Sequence, residues 1–275
     1  MDCVARGSAA LAERPERTAR GYRRFRCREC RKGYNERSGG LLNRTQYPSD
    51  VIALVVLWRL RYRLTLRDLA AMFLQRGFVF SHEAVRDWEA KLTPVLADEL
   101  RQRRRGKGGA GRRSWHEDET YLRVRGRWCF LYRAIDRRGD LVDTVLSEHR
   151  DMAAAKAFFR SAKSATGMTP ERVTTDGHRP YLRAIRSTLG RDVKHRTSAY
   201  KNNRLEQDHR GINGRIRCMR GFGAFEAAAR FCRGYDELRS HLRTRSRHAQ
   251  HVPANRRRLL HLRRATAALA ILRAA

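Results

Sequence analysis

Acidic side chains are scarce in this chain: 28 Asp and Glu stand against 61 Lys and Arg, a formal charge of +33 over 275 residues. A field of that sign concentrates polyanions and hardly any other partner. Nucleic acid is therefore the first expectation and anionic membrane the second. Long apolar runs are lacking as well. The longest, Val51 to Trp58, falls far short of the roughly 20 residues that span a bilayer, and no charged-then-apolar signal segment opens the chain. Cysteines are few and irregularly spaced, at Cys3, Cys27, Cys30, Cys129, Cys218 and Cys232. That excludes a disulfide framework and points to a reduced cytoplasm. Core material is not lacking: 41% hydrophobic residues with four Trp exclude a wholly disordered basic protein.

Residues 1–48 read as a basic N-terminal region poor in regular structure. Within it, Cys27 and Cys30 form a CxxC between aromatic-basic stretches, one knuckle of a zinc ribbon, because two thiolates at this spacing can share a tetrahedral metal. Only Cys3 is available upstream, so the knuckle reads as incomplete and zinc at Cys27 and Cys30 is not expected. Residues 49–105 are helical in pattern. Ser49 and Asp50 stand as caps before an apolar run. Thr65 with Asp68 makes a capping-box-like start for Leu66 to Gln75, ended by Gly77, and Ser81 caps a helix carrying Ala84, Val85, Trp88 and Leu92. Two helices joined by a tight turn suggest a helix-turn-helix with His82, Glu83, Arg86 and Asp87 exposed, although an ordinary three-helix bundle has the same spacing. A glycine-rich cationic stretch, Arg101 to Arg113, leads into the next region as a hinge able to track a phosphate backbone, with the linker proper at 106–113.

The pattern then turns to strands. Ser114–Val124, Trp128–Asp136 and Leu141–His149 are β-rich, with turns at Arg125-Gly126 and Arg138-Gly139-Asp140. A helix over Met152–Thr166, a strand over Arg172–Thr175, a helix over Arg179–Leu189, a strand over Val193–Arg196 and a last clear helix from Asn203 follow. That order is the order of a ribonuclease-H-like α/β domain, a mixed five-stranded sheet with helices over residues 114–240. Residues 241–275 read as a basic tail with a helix-like stretch, Leu259 to Leu272.

In so acid-poor a chain, placed acids are informative. Asp118 alternates with His116, Thr120, Leu122 and Val124 on one face of its strand. Asp176 ends a strand just before Gly177, the edge where open α/β sheets place their sites. Glu206 lies in the first turn of the last helix, with Arg210, Asn213 and Arg217 on its face and Leu205, Ile212, Ile216 and Met219 packing down. Each acid has a plainer reading: an acidic edge with Glu117 and Glu119, a turn residue, a cap partner of Asn203. On this strand order, however, Asp118 and Asp176 come side by side and Glu206 can lie across them. Three close carboxylates need cations, and two Mg²⁺ or Mn²⁺ ions fit oxygen donors of this kind. His178 and His209 fall near the trio and are expected to support it or touch phosphate.

At these residues the sequence resembles the DDE transposases of bacterial insertion sequences, and closely resembles the insertion-sequence-six family. The segments carrying this are Asp118-Glu119-Thr120-Tyr121, Val124-Arg125-Gly126-Arg127-Trp128-Cys129, Thr175-Asp176-Gly177 and Asn202-Asn203-Arg204-Leu205-Glu206-Gln207-Asp208-His209-Arg210. Tyr62 to Leu69 and Ser81 to Val85 add to it. The resemblance implies that Asp118, Asp176 and Glu206 are the catalytic, metal-binding triad. It also implies an N-terminal region that recognises terminal inverted repeats and replicative movement through a cointegrate. His82, Arg86, Lys201, Arg210 and Arg217 are the residues expected on DNA, and pairing two element ends implies a homodimer or larger complex. At position 213 the family commonly carries Lys or Arg, and here stands Asn213. A helix-turn-helix regulator without chemistry, or a nuclease of the same fold without strand transfer, are the rival readings.

Overall fold

The computed structural model describes residues 2–106, 113–197, 203–219, 221–244 and 252–275; for Arg179 and residues 203–207 it describes the backbone alone. The N-terminal region is more ordered than its composition suggests. Strands β1 (Leu11–Arg17), β2 (Arg23–Cys27) and β3 (Gly33–Asn35) form an antiparallel three-stranded sheet. The expectation of little regular structure there is corrected. Its strands bury almost no apolar side chains, so the alternation that marks a strand in sequence is absent.

Three helices follow: α1 (Ser49–Arg61), α2 (Leu66–Leu74) and α3 (His82–Arg104). The helix start signals act much as expected. Thr65 and Asp68 close a reciprocal capping box at 3.0 and 2.8 Å, and Ser81 Oγ accepts from the Ala84 N–H at 3.2 Å. At α1 the cap differs. Ser49 is already helical, and its N–H donates to the Tyr22 hydroxyl at 2.8 Å, tying the helix to the N-terminal sheet. The apolar run Val51–Trp58 is core, and among the described residues no helix is long and apolar enough to cross a membrane. Helix α3 runs through the segment expected to start the hinge. Arg101 pairs with Asp143 at 3.1 Å and Arg104 with Glu237 at 2.6 Å, so these two basic residues are internal and not free to follow a phosphate backbone. The rest of that stretch, 107–112, lies outside the described residues.

Strands β4 (Ser114–Val124), β5 (Arg127–Asp136), β6 (Leu141–Ser147), β7 (Arg172–Thr175) and β8 (Lys194–Thr197) make one mixed sheet in the order β6-β5-β4-β7-β8. The first three are an antiparallel meander; β7 and β8 join parallel. That topology, with its crossover helices, is the ribonuclease-H-like fold anticipated from the element order. Helices α4 (Met152–Thr166) and α5 (Arg179–Thr188) cover one face, where Trp115, Tyr132, Phe158, Phe159 and Tyr181 pack together. Helices α6 (Asn203–Cys218) and α7 (Phe225–Leu242) cover the other.

Helix α6 is not the last. Helix α7 has a sequence broken by Arg230, Arg233 and Asp236, which obscures its apolar face; Asp236 pairs with Arg133 inside the fold and Arg230 with the buried Glu89, while Arg233 meets Asp98 at the surface. The expected tail contains α8 (Ala254–Ala274), packed on α1, α3 and α7 through Ala268, Ile271 and Leu272. One apolar core therefore runs from α1–α3 through α7 and α8 to Leu122, Val124 and Leu131 of the sheet.

Candidate active site

Strand β4 is central, which excludes the acidic-edge reading of its three acids. Pleating divides them between faces. His116, Asp118 and Thr120 face the α6–α7 side, where Leu122 and Val124 enter the core, and Glu117 and Glu119 face α4 and α5. The β4–β7 ladder pairs His116 with Thr174. Continuing the same offset by two residues sets Asp176 beside Asp118. Gly177 then turns the chain at φ +93°, a value only glycine adopts freely, and Asp176 Oδ1 accepts from the His178 N–H at 2.9 Å.

Among the described residues, carboxylate oxygens of Asp118, Glu119 and Asp176 lie within 4.8 Å of one another. Oxygen donors this close suit a hard divalent cation, which also offsets their mutual repulsion. Glu119 was not anticipated as a neighbour of the site. It is 7% exposed and engaged on both oxygens, by Arg150 Nε and by the Tyr181 hydroxyl. Arg150 also reaches Asp176 Oδ2 at 3.4 Å, so one guanidinium bridges the two carboxylates. Burial drives the Glu117 carboxyl well above the ordinary range, reinforced by Glu119, and its Oε1 lies 2.9 Å from the same Tyr181 hydroxyl. Strand periodicity could have flagged Glu117 and Glu119 as inward-facing; nothing local names Arg150 or Tyr181 as their partners.

Helix α6 packs over β4 and β5 and carries Glu206 in its first turn; the Glu206 side chain is outside the described residues. What anchors the helix is visible two residues later. Arg133, cross-strand partner of Asp118, lies 3.7 Å from Asp208 and 2.7 Å from Asp236 of α7, and Arg239 closes on Asp208 at 2.5 Å. Arg210 and Arg217 are exposed on α6, Asn213 is half-buried, and Ile212, Ile216 and Met219 pack down. Lys201 lies outside the described residues. His82 and Arg86 stand at the start of α3, both paired with Glu83.

His209 is 5% exposed, and burial, with Arg133 beside it, pushes its pKa down to about 4. The ring is neutral at physiological pH, so the expected phosphate contact is corrected to a packed, uncharged histidine. An unfolded histidine takes its proton near 6.5. Stability is therefore full above that pH and drains as pH falls towards about 4, because only the unfolded state binds the proton. His209→Asn should flatten this part of the urea-midpoint profile. Equal acid-side slopes in variant and wild type would refute the assignment.

Comparison with known proteins adds the family. A DDE domain model matches residues 112–245. The transposase for insertion sequence-like element IS431mec of Staphylococcus aureus strain N315 is 34% identical over 175 residues, covering 62% of this chain and 75% of that protein. The chain belongs to the DDE transposases of bacterial insertion sequences, in the insertion-sequence-six family. The transposase for insertion sequence element IS257 in transposon Tn4003, also of Staphylococcus aureus, matches at the same 34% and the same coverage. Among solved structures, the HTLV-2 integrase catalytic core domain in complex with magnesium (dimeric form) is 18% identical, with TM-score 0.32, over 39% of this chain and 71% of that one. A simian T-cell lymphotropic virus intasome in complex with PP2A regulatory subunit B56 gamma gives 13% identity and TM-score 0.37 over 62% and 70%. Membership of the DDE transposase family makes the chain an enzyme of metal-dependent DNA cleavage and strand transfer.

Proposed function

We propose that this transposase binds the terminal inverted repeats of its own element and moves it replicatively through a cointegrate. Asp118, Asp176 and Glu206 would hold two Mg²⁺ or Mn²⁺ ions. The observation that carries this reading is the meeting of the Asp118 and Asp176 carboxylate oxygens within 4.8 Å, just past the end of the parallel β4–β7 ladder and on the sheet over which the helix bearing Glu206 packs. Such ions, when bound there, would supply activation of an attacking oxygen and stabilisation of a leaving one. The residues supply what that chemistry needs. Strand β4 fixes the Asp118 carboxylate, Gly177 and the His178 N–H aim Asp176, and Arg150 keeps the uncoordinated carboxylates from repelling each other apart.

On this reading residues 49–105 are the helix-turn-helix unit, with His82 and Arg86 at the start of the recognition helix, and residues 114–240 are the catalytic domain. Lys201, Arg210 and Arg217 flank the bound strand, and two element ends are joined within a homodimer or larger complex in the cytoplasm. A groove lined by Arg61, Arg239, Arg243, Arg257 and Arg258 adds a basic surface that sequence reading did not single out. Phosphate contacts make binding salt-dependent, so Arg210→Ala and Arg217→Ala should each lower the slope of log K against log salt by about 1. An unchanged slope would remove that arginine from the DNA path.

The test is a strand-transfer assay with labelled element ends, Mg²⁺ and a target plasmid. Joined products that carry both ends are the expected result. Binding without cutting would leave a regulator, and cutting without joining a nuclease.

A further inference from the structure

The N-terminal sheet contains a feature that the transposition reaction does not use. Cys3 and Cys27 are buried and Cys30 is half-buried, yet neither buried thiol belongs to either apolar core. The three sulfurs instead converge within 4.8 Å of one another, with Cys3 Sγ 3.5 Å from Cys30 Sγ. The Tyr34 hydroxyl takes a fourth position, 3.3 Å from Cys3 Sγ and 3.6 Å from Cys30 Sγ.

The two turns that present these thiols share one hydrogen-bond pattern. The Cys27 N–H donates to Lys32 O at 3.1 Å, and its carbonyl accepts from the Arg31 N–H at 3.0 Å. The Cys3 N–H donates to Ser8 O at 2.8 Å, and its carbonyl accepts from the Gly7 N–H at 2.7 Å. The fifth residue of each turn is left-handed, Arg31 at φ +57° and Gly7 at φ +66°. The fourth residue is Cys30 in one turn and Arg6 in the other. The fold thus builds two matching knuckles facing each other and supplies three of the four sulfurs that a tetrahedral site takes. Sequence spacing alone left the knuckle half-built, because Cys3 is separated from Cys27 by strands β1 and β2.

We propose that Cys3, Cys27 and Cys30 bind one zinc ion as thiolates, with an oxygen ligand, the Tyr34 phenol or a water, at the corner that Arg6 vacates. On binding, each thiol gives its proton to solvent and its sulfur lone pair to the metal. The ion clamps the turn before β1 to the turn after β2, and so orders a sheet with little apolar core of its own.

The full-length protein, purified under reducing conditions from zinc-supplemented cells and freed of any histidine tag, should carry about one zinc per chain by elemental analysis, the stoichiometry of a single tetrahedral site. Cys3→Ser and Cys27→Ser should lose it, and Cys218→Ser should keep it. Cobalt exchanged into the wild type should show the visible bands of a tetrahedral ion with thiolate charge transfer. Arg6→Cys should tighten binding in chelator competition by about tenfold or more, the scale on which even outer-shell partners act. Wild-type protein without zinc, a cobalt spectrum without thiolate bands, or a Cys3–Cys30 disulfide formed in place of metal uptake would each overturn the proposal. Should the serine variants fail to fold, the cobalt spectrum and the Arg6→Cys competition decide it.

Discussion

Asp176→Asn is expected to reduce strand transfer by about a thousandfold or more, since losing several kcal/mol of metal-borne transition-state stabilisation costs a factor of ten per 1.4 kcal/mol. The substitution keeps the shape of the side chain and its acceptor oxygen for the His178 N–H, so folding should survive. The same assay separates two candidates for the third carboxylate. Glu206→Gln should match Asp176→Asn. Glu119→Gln should lose only about 10–100-fold, the range for residues that orient a ligand without being one. That difference follows from the partners of Glu119: Arg150 and Tyr181 already take both of its oxygens. Near-wild-type activity for Asp176→Asn would end the triad assignment. A collapse for Glu119→Gln with a mild effect for Glu206→Gln would move the third ligand from α6 to β4.

The largest effect on stability is expected at Asp236. Its carboxylate is fully buried and holds the Arg133 guanidinium, itself 2% exposed, at 2.7 Å. Burial pushes the Asp236 pKa up while Arg133 pulls it back, so the pair persists by mutual compensation. Asp236→Ala strands a buried cation whose remaining acidic partner among the described residues, Asp208, is 3.7 Å away. Such a loss costs about 3–5 kcal/mol, readable as a lower urea midpoint at unchanged slope. Activity should fall with it, because Arg133 also braces the helix that carries Glu206. Replacing both partners by apolar residues, Arg133→Met with Asp236→Leu, should recover much of the stability, since the desolvation cost disappears with the charges. A single variant within ~0.5 kcal/mol of wild type, the range of an ordinary surface change, would show that the pair contributes little.

The sequence by itself determined whatever depends on neighbours within a few residues. The alternation of β4, the capping box at Thr65 and Asp68, the span of α4 and the Asp176-Gly177 turn are all local, and strand order then put Asp118 next to Asp176. Tertiary structure alone decided the contacts between distant segments. It brought Cys3 to Cys27 and Cys30, turned Arg101 and Arg104 inward onto Asp143 and Glu237, and seated α8 on α1 and α3. It also gave Glu117 and Glu119 their partners, Tyr181 and Arg150, and α6 its anchor through Arg133. In a chain with 61 basic residues, composition makes every arginine look like a DNA contact. Burial separates the ones that hold the fold from the ones left for phosphate, because a guanidinium can leave water only where a carboxylate or carbonyl waits for it.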